Sequence, residues 1–161
     1  MSSATRRLVL AAGLVLLAAA ALAQGAPPSE LQGFETTALS IRTAAGEHRF
    51  TVELARSPRQ QSQGLMFRRR LAADAGMLFL HPVPRRATMW MKNTFIPLDM
   101  LVVAADGRIT QIVERTTPHS LEVIASDRPV SAVLELNAGT AARLGIRIGD
   151  RLVHPAFRDA S

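Results

Sequence analysis

The segment Met89–Met100, MWMKNTFIPLDM, concentrates the side chains of this chain that can do chemistry. It holds the only Trp, Trp90, the only Lys, Lys92, and three of the six Met. Lys92 stands out because every other basic residue is Arg. An ammonium is a compact, rotatable donor with a movable pKa, whereas a guanidinium is planar and always charged. Read as a strand over Thr88–Lys92, the segment places alternate residues on one face. Trp90, Lys92 and Thr94 then share one side, and Met89, Met91 and Asn93 the other. Asp99 follows a bend at Pro97 and is expected to return beside Lys92. Trp90, Lys92, Asn93, Thr94 and Asp99 would line a polar-aromatic cleft, with Arg68 reaching in from Gly64-Leu65-Met66-Phe67-Arg68. Such a cleft suits a small polar or anionic ligand, such as a saccharide or envelope fragment. An indole covers a sugar face, and Asn93 and Asp99 take hydroxyls.

Two other classes of function use the same residues. In a small enzyme, Lys92 acts as a base or imine-forming amine while Asp99 or His119 shuttles the proton. In a structural or partner-binding envelope protein, Trp90 is core and Lys92 sits in an ion pair. A Ser–His–acid arrangement around His119, Ser120 and Glu122 lacks the Gly-x-Ser-x-Gly elbow. No metal site is expected. His48, His81, His119 and His154 have no ligand spacing, and a Met89/Met91 pair on one strand face reads as core. No cofactor is expected either, since Gly145 and Gly149 close a helix and a turn and form no phosphate loop. The runs Arg68–Arg70 and Arg85–Arg86 would favour an anion if they flank the cleft, because Arg offers a two-donor fork.

The 161 residues divide into three parts. Residues 1–23 read as a signal peptide: Arg6 and Arg7, an apolar run Leu8–Ala20, then Ala21-Leu22-Ala23 as an A-x-A cleavage site. Thr5-Arg6-Arg7 also suits twin-arginine export. Residues 24–37 are a polar, Pro-containing lead, and 38–157 form a single domain. The expected location is the periplasm or outside the cell, with no stable membrane insertion after cleavage. The leader carries two Arg and no acid, so the net charge falls from +6 to +4 on its removal. With no Cys, the chain has no disulfide and no thiol nucleophile, and its fold must rest on its core. The basic residues are not interleaved with stacking aromatics, so nucleic acid is not an expected partner. A monomer is expected.

Alternating apolar residues predict a hairpin from Leu39–Ile41 and Phe50–Leu54 around Ala45-Gly46. Ser57, Pro58 and Gly64 mark the cap, first turn and stop of a short helix. Gly76–Leu80 reads as a buried strand ended by His81-Pro82. Asp99–Ala104 and Arg108–Arg115 flank Ala105-Asp106-Gly107 as a second hairpin. Thr116–Pro129 reads as a long loop and Val130–Leu136 as a strand. Ala138–Leu144 reads as a helix with Asn137 as N-cap, and Arg151–Val153 as a last strand. The expected architecture is mostly β, with about eight strands and two short helices, in a β-sandwich or partly open barrel. Pairing is expected to be antiparallel, because no strand is followed by a long crossover helix.

Four segments together resemble domain-of-unknown-function family 192, small proteins that are often exported. They are QGLMFRRRL at Gln63–Leu71, GMLFLHP at Gly76–Pro82, MWMKNTFIPLDM at Met89–Met100 and VLELNAGTAARLGIRIGD at Val133–Asp150. The resemblance covers about residues 38–154. It implies one compact, mostly β domain and supplies no reaction, substrate or catalytic residue. The family hallmark is an aromatic residue, then Trp-Met-Lys-Asn-Thr, then Pro-Leu-Asp. Trp90 to Thr94 and Pro97 to Asp99 match it, whereas Met89 stands where an aromatic is usual.

Overall fold

A computed structural model describes residues 32–157. The elements run β1 (Glu35–Thr43), β2 (Gly46–Ala55), α1 (Pro58–Gln63), β3 (Ala75–Arg85), β4 (Thr88–Met89), β5 (Leu98–Val103), β6 (Ile109–Val113), β7 (Ile124–Ala125), β8 (Val130–Asn137), α2 (Thr140–Leu144) and β9 (Arg151–Val153). Seven strands form one sheet in the order β6-β5-β8-β3-β2-β1-β9, and β4 pairs with β7 in a second, small sheet. The two edges of the large sheet meet at the antiparallel bridge between Arg108 and Arg151. Backbone bonds from Ile109 N to Asp150 O and from Leu152 N to Gly107 O, both 2.8 Å, tie them there. The expected mostly β, partly open barrel is therefore the architecture. Gly107 permits the closure: its φ is +82°, and a Cβ on it would lie 2.5 Å from the Leu152 carbonyl oxygen.

Both hairpins form as their turn residues indicate. In the first, Thr43 Oγ1 accepts from Ala45 N and donates to Gly46 O, fixing the turn. Helix α1 carries a full capping box: Ser57 Oγ accepts from Gln60 N while Gln60 Oε1 accepts from Ser57 N.

Four expectations are corrected. β2 and β3 pair in parallel, Thr51 with Ala75 through Ala55 with Phe79. The crossover is made by short α1 and the loop after it, so a long helix was not needed. β3 continues past His81-Pro82 to Arg85, with its pairing to β8 interrupted between Leu80 and Arg85. The strand expected over Thr88–Lys92 stops at Met89, because Lys92 and Asn93 form a turn closed by Thr94 N donating to Met91 O. Gly139, in a left-handed conformation, takes the α2 N-cap expected of Asn137. The Asn137 amide instead donates to Leu71 O and Ala72 O. The leader and most of the polar lead lie outside the described residues. No helix among the described residues is long and apolar enough to cross a membrane.

The sheet separates two apolar clusters. One draws on all seven strands of the large sheet and on α2, and includes Ile41, Val52, Leu78, Leu101, Leu134 and Leu152. The other lies on the opposite face of the central strands, with Met77, Phe79, Met100 and Val133 under Leu65, Ala87 and Met91 from the loops. Side chains alternate between these faces along β5 and β8. That alternation decides which polar side chains reach the candidate site.

Candidate functional site

On β8, Leu134 and Leu136 enter the first cluster, so Glu135 must point into the second. Its cross-strand neighbours are Met77 on β3 and Met100 on β5. Gly76 allows β3 to approach this closely: a Cβ there would lie 2.6 Å from the Glu135 carbonyl oxygen. Glu135 is 3% exposed, and its Oε2 has no hydrogen-bond partner. Burial raises its pKa from 4.5 to about 8, so the carboxyl is protonated at neutral pH. It lines a cavity of about 50 Å³ with Gln61, Ser62, Met66, Thr88, Trp90 and Thr94, among others. Glu135 is the only ionisable residue in that lining.

The cavity shares Gln61, Ser62, Thr88, Met89 and Trp90 with a larger open cleft of about 620 Å³. Arg56, Arg85, Pro82 and Val123 also line this cleft. Gln61 links the two spaces. Its Nε2 donates to Leu80 O at 2.7 Å, and its Oε1 accepts from Arg85 at 2.9 Å. Arg85 is held again by His81, whose Nδ1 accepts from Nε at 3.2 Å. Burial, and then the Arg85 charge, lower the His81 pKa to about 4, so this imidazole is neutral and able to accept. Arg56 meets Glu35 at 3.3 Å in an exposed pair.

Of the residues singled out from sequence, Trp90 and Thr94 line the cavity, and Trp90 also walls the cleft. Trp90 is 45% exposed. Lys92 Nζ lies 5.1 Å from the centroid of the Trp90 ring. Asn93 sits in the turn at φ 55° and donates weakly to Met66 Sδ at 4.0 Å. Asp99 is elsewhere. It lies on the face of β5 opposite Met100, fully buried, with Oδ1 accepting from Arg115 N and Oδ2 from Ala141 N, both at 2.9 Å. It thus caps α2 from a distance. The ion pairs among the described residues are Arg56–Glu35, Arg68–Glu53, Arg108–Asp106 and Arg151–Asp106, so the expected Lys92–Asp99 pair does not form. Arg68 is also held away, in a two-pronged pair with Glu53 at 2.6 and 2.5 Å. His119 stacks on Phe95 with centroids 5.2 Å apart.

The backbone around this segment is strained. Phe67, Asn93, Arg115 and His119 are the described non-Gly residues at positive φ, a conformation that costs about 1 kcal/mol or more in each. All four engage residues 93–99. Phe67 N donates to Asn93 O, His119 N to Thr94 O, and Arg115 N to Asp99. Strain of this kind gathers where side-chain placement matters.

Sequence reasoning missed Glu135 and Gln61 as neighbours of Trp90, whereas Arg85, from the Arg85–Arg86 run, does line the cleft. For Glu135 a signal was present: an acid between two Leu in an apolar strand. If such a strand is central, its acid must be buried.

The fold and site define a small, partly closed β-barrel module with a buried acid beneath an aromatic-walled cleft. The chain belongs to domain-of-unknown-function family 192, described as an uncharacterised ACR, whose model matches residues 40–154. Two solved structures are similar. One, from Sinorhizobium meliloti and provisionally named as a transcription regulator, is 49% identical with a TM-score of 0.77, covering 80% of this chain and 100% of its own. The other, a protein of unknown function from Novosphingobium aromaticivorans, is 40% identical with a TM-score of 0.75, covering 82% and 96%. No curated protein matches the chain.

Proposed function

We propose that this protein is an exported, non-enzymatic binding module of the cell envelope that holds a small polar or anionic ligand in the Trp90 cleft. The observation that carries this reading is the half-exposed indole of Trp90, which walls an open cleft also lined by Arg56 and Arg85. An exposed aromatic face beside guanidinium groups suits a flat, hydroxylated or charged molecule. Binding pockets commonly combine an apolar wall with a few convergent polar groups. Arg6-Arg7, the apolar run and the A-x-A site support export. Asp99 is committed to the α2 cap, which removes the acid that the enzymatic reading paired with Lys92.

Trp90 is the sole Trp, so intrinsic fluorescence reports on the cleft directly. The mature chain, titrated with envelope saccharides and organic acids, is expected to give a saturable change in Trp90 emission for at least one of them. Cell fractionation with N-terminal sequencing is expected to find the protein outside the cytoplasm, starting near Gln24. A cytoplasmic protein that retains Met1 would defeat the export part. Unchanged emission across the series would defeat the binding part.

A further inference from the structure

We propose that Glu135 is the deep recognition group of the Trp90 cleft, and that the ligand is an acidic saccharide: its ring on Trp90, its carboxylate at Arg85 and Arg56, and a hydroxyl on Glu135. This deepens the cleft reading and rests on it.

Three observations lead there. Glu135 Oε2 is buried without a partner and lines the cavity that opens beneath Trp90. Buried polar atoms are almost always satisfied, so a lone one in a cavity calls for a group from outside. The cavity, about 50 Å³, has room for a hydroxyl or hydroxymethyl group but not for a ring. A protonated carboxyl both donates and accepts, which matches a hydroxyl. In the cleft, Arg85 is positioned by Gln61 and His81, and Arg56, paired with Glu35, adds a second guanidinium. A cationic ligand would meet two guanidinium groups there, whereas a carboxylate would be drawn in. The open cleft, about 620 Å³, accommodates a sugar ring against the indole.

The test titrates the mature protein with D-glucuronate, D-glucose and cyclohexanecarboxylate at matched ionic strength, read by Trp90 emission. D-glucose lacks the charge, and cyclohexanecarboxylate lacks the hydroxyls. D-glucuronate is expected to saturate the signal and to bind at least tenfold tighter than either. Glu135→Leu is expected to weaken D-glucuronate at least tenfold. Glu135→Gln, which keeps a donor and an acceptor, is expected to weaken it less. Equal affinity for D-glucuronate and cyclohexanecarboxylate, an unchanged Glu135→Leu, or no saturation by D-glucuronate would each overturn the inference. Native mass spectrometry separates the two levels of failure. If the protein from its own cells carries an adduct that Trp90→Ala loses, the cleft reading stands although the saccharide inference has fallen. If it carries none, and gains none on incubation with an extract of its own envelope, both fall.

Discussion

Replacing Glu135 with Gln should stabilise the protein, and increasingly so as pH rises. The folded chain holds the Glu135 proton up to about pH 8, whereas the unfolded chain releases it near pH 4.5. Between those values the folded state binds one more proton than the unfolded state, so wild-type stability falls with rising pH. Each pH unit in that window costs about 1.4 kcal/mol. The cost reaches about 3 kcal/mol at pH 7 and about 5 kcal/mol above pH 8. It is absent below pH 4.5. Gln has nearly the same shape and does not titrate. Urea unfolding of both proteins between pH 5 and pH 9, followed by Trp90 fluorescence, measures the difference. His81, which titrates near pH 4, contributes equally to both proteins and cancels. The gap should widen steadily to pH 8 and then level. A gap that stays constant from pH 5 to pH 9 would refute the assignment of a buried, neutral acid.

Three further outcomes follow from the same geometry. Asp99→Ala should destabilise the fold by about 3 kcal/mol in urea unfolding, since it strands two backbone donors served by a charged acceptor; a change near zero would contradict the capping role. Arg68→Ala should cost about 1 kcal/mol, because the Glu53 pair is well formed but partly exposed. That loss should shrink in high salt, which thermal unfolding at two ionic strengths would show. By NMR, His81 should titrate near pH 4, and a midpoint near 6.5 would contradict its burial beside Arg85.

Much of the fold was legible where local chemistry decides it. The Ser57 cap and Gly64 stop of α1, the Asp106-Gly107 turn and the alternation in β1 and β2 needed no tertiary information. Parallel β2–β3 pairing was hidden because its crossover is a two-turn helix and a loop that show no long helical period. The end of β4 depends on Asn93 entering the left-handed region, which Asn tolerates better than most residues. The candidate site was half legible. Trp90 and Thr94 line one cavity and Lys92 lies near the Trp90 ring, although the segment is a turn there and not a strand. Asp99 was misplaced because one residue of strand register separates it from Met100 and sends it to the other face. Glu135 lies 45 positions from Trp90 in sequence. Its burial follows from β8 lying between β3 and β5, a sheet order that local sequence does not encode.

The central claim, a small ligand in the Trp90 cleft, is tested most directly by native mass spectrometry of the protein taken gently from its own cells. A one-to-one adduct, lost in Trp90→Ala and diminished in Glu135→Leu, is the result expected. A wild-type protein whose mass is that of the bare chain, before and after incubation with an extract of its own envelope, would contradict it.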